Sequence, residues 1–235
     1  MKIDYCILCY KFQRRLSWCL SSIAQQKGKI PELTINIAYV KNDGEPTTEK
    51  VINTFRDKLT IKEKVYDSVD KILDRGLVRN DLIGLSDSEW IFMADCDHVY
   101  PTSFFSELYF YLENFSYLKN SLFYSFNRKT TDTLLTDKAV SEHGIYVDNA
   151  HDKADKIQKI DVLKSKKAGG SMQVVRRNEL NGIYTIRKNN IADKFIFRSD
   201  INFRRRFKSI VPVDLPDMIH LNHDRERSKD KINQN

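Results

Sequence analysis

The run Ile91-Phe92-Met93-Ala94-Asp95-Cys96-Asp97-His98 decides how this chain is read. Four apolar residues of strand character break into two carboxylates one residue apart. An unpaired ionised group in a core costs several kcal/mol or shifts its pKa until it is neutral. The strand therefore ends near Ala94, and Asp95 and Asp97 emerge at a sheet edge where a ligand or cation can meet them. Hard divalent cations such as Mg2+ and Mn2+ take one or two carboxylates together with substrate phosphates. The stretch points to an enzyme that handles a phosphorylated donor.

On the N-terminal side of this strand the chain alternates. Ile3–Tyr10 reads as a strand. Gln13–Gln26 reads as a helix, with Leu16, Leu20 and Ile23 at helical spacing and Gly28 as its stop signal. Leu33–Val40 is β-rich and stops at the turn residues Asn42-Asp43-Gly44. A short helix over Val51–Leu59, a strand over Thr60–Tyr66 and a helix over Val69–Leu85 lead back to the starting strand. Beyond it, Pro101–Phe115 reads as an aromatic helix and Ser121–Phe126 as a strand. Strands alternating with helices imply right-handed crossovers and a mostly parallel sheet, an α/β fold. Ligands bind such sheets beyond the carboxyl ends of the strands. Asn42-Asp43 and Asp95–His98 both fall there.

The second half is less regular. Thr130–Lys167 is polar with few apolar anchors and reads as a long loop with minor structure. Ala168–Val175 reads as a Gly-Gly turn into a strand, Lys194–Phe207 as helical, and Ile210–His220 as containing a strand. From Asp224 the chain is polar and charged. The first 120 residues carry 16 Lys and Arg against 17 Asp and Glu, whereas the rest carry 23 against 15. The positive field of the second half suits an anionic partner: a diphosphate, an anionic glycan, a membrane surface or nucleic acid. The 235 residues suit one domain. No apolar run approaches the ~20 residues of a membrane span. The four cysteines form no framework, and Cys6 and Cys9 read as ordinary thiols on opposite faces of a strand. Free thiols and a first strand in place of a signal peptide point to a reducing, cytoplasmic compartment.

The order of these motifs resembles the GT-A nucleotide-sugar glycosyltransferases, most closely family 2. The resemblance begins at Tyr10-Lys11-Phe12-Gln13-Arg14-Arg15-Leu16, where the family has a Tyr-Asn-Arg run. It continues through Asn42-Asp43-Gly44, Arg79-Asn80 and the DxD motif Asp95-Cys96-Asp97. It ends with Gly169-Gly170-Ser171-Met172, Ser199-Asp200 and His220-Leu221-Asn222-His223. It spans residues 3–225 and implies a single GT-A domain over 1–225, with a nucleotide-sugar half (1–120), an acceptor half (121–225) and a polar tail from 226. The activity it implies is metal-dependent transfer of a sugar from a nucleoside diphosphate to an acceptor hydroxyl on a glycan or glycolipid. Mn2+ or Mg2+ would be held by Asp97, with Asp95 on the ribose or the metal. Asp43 would meet the base or ribose.

Asp200, where Ser199 replaces the family's usual Glu, is the candidate general base of an inverting transfer. It also suits the N-cap of a helix. Arg79 is open between the diphosphate and the acidic strand ends. Of the two C-terminal histidines His223 is the favoured metal ligand, because the charged segment after it can close over the donor. His98 is open between a phosphate or acceptor contact and a structural role before Pro101. Peripheral contact with a membrane is compatible with the basic half, and nucleic acid is the least favoured partner. Two other classes stay open. A nucleotidyltransferase would want a Gly-rich basic loop after the first strand, and Tyr10–Arg15 has no glycine. A non-catalytic basic binding module leaves the charged strand end unexplained.

Overall fold

The computed structural model describes residues 1–125, 127–160, 172–180 and 203–223. The first half runs β1 (Lys2–Leu8), α1 (Gln13–Ala24), β2 (Glu32–Val40), α2 (Thr48–Phe55), β3 (Thr60–Tyr66), α3 (Val69–Leu73), α4 (Arg75–Leu85) and β4 (Trp90–Ala94). It continues with β5 (His98–Val99), α5 (Phe104–Asn114), β6 (Ser121–Tyr124), β7 (Arg128–Thr131), α6 (Thr133–Glu142), α7 (Ala150–Asp155) and β8 (Lys159–Ile160). After these come β9 (Met172–Arg176), β10 (Ser209–Pro212) and β11 (Met218–His220).

The main sheet has the order β10-β6-β9-β4-β1-β2-β3. β1 is buried from Ile3 to Ile7, apolar but for Asp4, whose carboxylate accepts the Asp87 and Ser88 amides (2.8 and 2.9 Å). A strand buried on both faces belongs in the middle of a parallel sheet. β2 and β4 flank it in parallel, and β3 extends β2. β9 is antiparallel to β4 and β6, so among the described strands it is the one reversal in an otherwise parallel sheet. β6, β9 and β10 come from beyond residue 120, so both halves of the chain build one sheet. One face carries Tyr5, Ile7, Phe92, Trp90 and the helices α1 and α5; the other carries Cys6, Ile91 and Met93 under α4. Cys6 and Cys9 fall in these two different clusters, as a period of two requires. All four cysteines are buried free thiols.

Several expected boundaries move for local reasons. α2 begins earlier than the apolar pattern suggested because Thr47 accepts the Lys50 amide and the Asp43 carboxylate accepts the Thr48 amide (3.1 and 3.0 Å). The single helix expected over Val69–Leu85 is two. Asp74 leaves helical geometry and restarts the chain as a cap, accepting the Leu77 amide at 3.1 Å. Ile210–His220 splits into β10 and β11 in different sheets, with Pro212 ending the β10 register and Pro216 in the connection.

The largest correction concerns the segment read as a polar loop from Thr130. Up to residue 160 it is folded, with β7, α6, α7 and β8. β7 and β8 join β5 and β11 in a second sheet of order β5-β11-β7-β8. Its core is made of small apolar residues, Val140, Val147, Ala150 and Ala154, packed against Trp18 of α1 together with Val99, Ile219 and Leu221. Asp132 caps α6 by accepting the Leu135 amide at 3.0 Å. Among the described residues no helix is long and apolar enough to cross a membrane.

Candidate metal and nucleotide site

The carboxyl end of β4 lies in the middle of the main sheet. The chain leaves it at Asp95, turns through Cys96 and Asp97, and enters the second sheet at His98. Asp95 is half-exposed, whereas Asp97 and His98 are buried. β11 pairs antiparallel with β5, and its register sets His220 directly opposite His98. The Leu221 amide then donates to the Asp97 carbonyl at 2.8 Å. Backbone pairing alone therefore carries the two C-terminal histidines onto the DxD turn.

The side chains meet there. Asp97 Oδ2 lies 3.3 Å from His220 Nε2 and 3.6 Å from His223 Nε2, while Oδ1 lies 3.0 Å from His98 Nδ1. The His98 and His220 rings face each other with centroids 5.2 Å apart. Burial by itself would raise the Asp97 pKa, but electrostatic attraction and hydrogen bonding from the neighbouring His220 and His98 side chains more than offset this. They hold the carboxyl well below the usual carboxylate range.

Two sets of donors come together, Asp97-His220-His223 and Asp95-Asp97-His98. In each, all the ligand atoms lie within 4.8 Å of one another. A cation fits this arrangement better than direct pairing does. Charge-assisted hydrogen bonds run about 2.7–2.9 Å. Donor atoms sharing a metal at bonds of roughly 2.0–2.2 Å stand about 3–3.5 Å apart, close to what Asp97 Oδ2 makes with the two imidazoles. Asp97 Oδ1, both ring nitrogens of His98 and Nδ1 of His220 are buried without an aligned hydrogen bond in the protein, a costly state without a ligand. Mg2+ favours oxygen donors alone, whereas imidazole nitrogens in the set suit divalent first-row transition metals.

The other candidates divide. Arg79, on α4, is buried, and its guanidinium lies 3.7 Å from Asp95 Oδ1. This is the pairing with the acidic strand end, and the Asp95 side chain keeps 39% of its surface exposed. Asp43 follows Asn42, which takes a left-handed φ of 55°. Its carboxylate accepts both the amide and the hydroxyl of Thr48 (3.0 and 2.6 Å), and its carbonyl accepts from Gln13 at 2.9 Å. Asp43 thus holds the N-terminus of α2, beyond the carboxyl end of β2. Asp200, Lys166, Lys167, Ser199 and the glycines 169 and 170 lie outside the described residues.

Sequence reasoning ranked His223 above His220, and the structure brings both to Asp97. The overlooked signal was the one that exposed Asp95: a titratable residue ending an apolar strand, Met218-Ile219-His220. It also missed Arg15 and Phe12. Phe12 packs against the His223 ring with centroids 4.6 Å apart and planes tilted by 57°, and the Arg15 guanidinium lies 5.5 Å from the Phe12 ring centroid.

No protein-family model matches the sequence, nor does any curated protein. Solved structures do. The 1–349 fragment of S. aureus TarS aligns at a TM-score of 0.63 and 12% identity, over 94% of this chain and 60% of that one. The same fragment in complex with UDP-GlcNAc aligns at 0.62 and 11%, over 96% and 59%. The mannosyltransferase PcManGT from Pyrobaculum calidifontis, in complex with GDP-Man and Mn2+, aligns at 0.59 and 11%, over 98% and 59%. The chain therefore spans about 60% of the length of these structures. At this identity the likeness establishes the fold, which is GT-A.

Proposed function

We propose that this GT-A chain is a metal-dependent glycosyltransferase that moves a sugar from a nucleoside-diphosphate sugar to an acceptor hydroxyl on a glycan or glycolipid. The observation that carries the reading is the Asp97 carboxylate, buried at the carboxyl end of β4 and facing His220 and His223 at 3.3 and 3.6 Å. Supporting it, the similar structures include one bound to UDP-GlcNAc and one bound to GDP-Man with Mn2+.

In this reading Asp97, His220 and His223 hold the cation, and the donor set favours Mn2+ over Mg2+. The bound cation supplies charge neutralisation for the departing diphosphate. Arg79 fixes Asp95, which turns its free edge toward the donor's ribose or the cation's water. Asp43, already ordered by Thr48, stands at the nucleoside end. The acceptor oxygen attacks the anomeric carbon, the bond to the diphosphate breaks with its electron pair leaving on the phosphate, and a carboxylate takes the hydroxyl proton. From the sequence we assign that proton transfer to Asp200, which makes the reaction inverting.

The test is a panel of nucleotide-sugars with Mn2+, read as release of the nucleoside diphosphate and as thermal stabilisation by each diphosphate. One nucleotide should stabilise the wild type in a metal-dependent way and Asp97→Ala should lose the effect. Absence of binding and turnover with every nucleotide tried would overturn the proposal.

A further inference from the structure

Arg15 is a buried cation on α1 with an unusual set of partners. Its Nε donates to the Leu221 carbonyl at 3.2 Å, and its Nη2 donates to the Asn222 carbonyl at 2.8 Å and to Asp137 Oδ1 at 2.5 Å. β11 ends at His220, so the two carbonyls that follow have no strand opposite them. Arg15 satisfies both with one planar fork. Those two residues are the whole of the link between His220 and His223.

The rest of the link is held as firmly. The Leu221 amide donates to the Asp97 carbonyl at 2.8 Å. The Asn222 amide donates to Thr131 Oγ1 at 3.1 Å and its side chain to Thr133 Oγ1 at 2.9 Å. Phe12, one helical turn before Arg15, supports the His223 ring. Asp137, on α6, orients the guanidinium from the far side. Asp97 and the two imidazoles come from two places in the chain, more than a hundred residues apart, and the aim of both imidazoles depends on the pitch of this turn. A lysine at position 15 offers a point charge in place of the fork and cannot reproduce the paired carbonyl contacts.

We infer that Arg15 is a positioning residue of the cation site. It holds the turn between His220 and His223 in the geometry that aims both imidazoles at Asp97 Oδ2, and Asp137 holds Arg15. The inference rests on the metal reading above. It assigns the metal affinity of the site in part to a helix whose side chains do not touch the cation.

The experiment is Mn2+ titration by calorimetry and electron paramagnetic resonance on the wild type, R15Q, R15K, D137N and D97N. Backbone amide exchange over residues 218–223 is measured without metal, and melting temperatures are recorded for every variant. Loss of a group that orients metal ligands typically weakens affinity about 10–100-fold. R15Q should bind Mn2+ at least about tenfold more weakly, with R15K and D137N between it and the wild type, and exchange at 221–223 should quicken in R15Q. A purely structural arginine would lower the melting temperature while leaving the Mn2+ affinity of the folded protein unchanged, and that result would overturn the inference. If R15Q does not fold, D137N decides: an unchanged Mn2+ affinity in D137N overturns it. If the wild type binds no Mn2+, the metal reading fails. Amide exchange alone then decides whether Arg15 holds the turn, and unchanged exchange in R15Q overturns that as well.

Discussion

Replacing Asp97 with Asn keeps the shape of the site and removes the group common to both donor sets. Asp97 Oδ2 serves His220 and His223 and its Oδ1 faces His98, so among the described residues no other side chain joins both clusters. Asp95 is different. Its side chain is 39% exposed and already has Arg79 at 3.7 Å. A ligand present at a hundredfold excess over its Kd stabilises the native state by about 2.7 kcal/mol. For a chain of this size that is about 5–10 °C in Tm. Wild-type protein titrated with Mn2+ in a thermal melt should therefore climb by about that much. Asp97→Asn should stay flat over the same range. Asp95→Asn should keep a reduced rise, because Asp97, His220 and His223 remain. Mg2+ should need a much higher concentration for the same rise, since two of the three donors are imidazole nitrogens. An Asp97→Asn protein that rises as far as the wild type would refute the placement of the cation, and so would a rise lost in Asp95→Asn but kept in Asp97→Asn.

Trp18→Ala removes the largest side chain between α1 and the second sheet, so it should cost about 3–5 kcal/mol. It should lower Tm by about 6–20 °C, and amide exchange should quicken first in α6 and α7. Burial pushes the Cys6 and Cys19 thiols up to about 12. At pH 8 each then carries roughly a thousandfold less thiolate than an ordinary cysteine. Native protein should resist alkylation at both while denatured protein takes up reagent at all four cysteines; a fast native reaction at either would contradict the packing. Asp200→Asn should retain Mn2+ and nucleotide binding yet lose transfer by at least about a hundredfold. Loss of binding together with transfer would remove it from the role of base.

The parallel half of the fold was legible because its signals are local. Ile3–Ile7 is apolar but for Asp4, Ile91–Ala94 is an apolar run cut off by the DxD turn, and the helices between them keep their period. The DxD turn was legible because charge at the end of a buried strand has few explanations. The region from Thr130 to residue 160 was not legible. Its core consists of valines and alanines that need Trp18, more than a hundred residues earlier, to make a buried surface. His220 was under-ranked for a related reason, since its role depends on pairing with His98, which no local window contains. Arg15 read as one charge in a basic stretch, and only the carbonyls at 221 and 222 reveal its work. The break at Asp74 was visible in principle, as an acidic residue ahead of Arg75-Gly76-Leu77, but the helical period runs through it.

β11 is the last described strand in the chain, yet it enters between β5 and β7 in the second sheet. During synthesis β5 and β7 must therefore wait without their shared neighbour until residues 218–220 leave the ribosome. The main sheet can close around β1, β2, β3 and β4 long before that moment. The chain thus matures in two acts, and the cation-binding turn can exist only after the second. A truncation short of residue 218 would leave a largely folded protein that has never had a working centre.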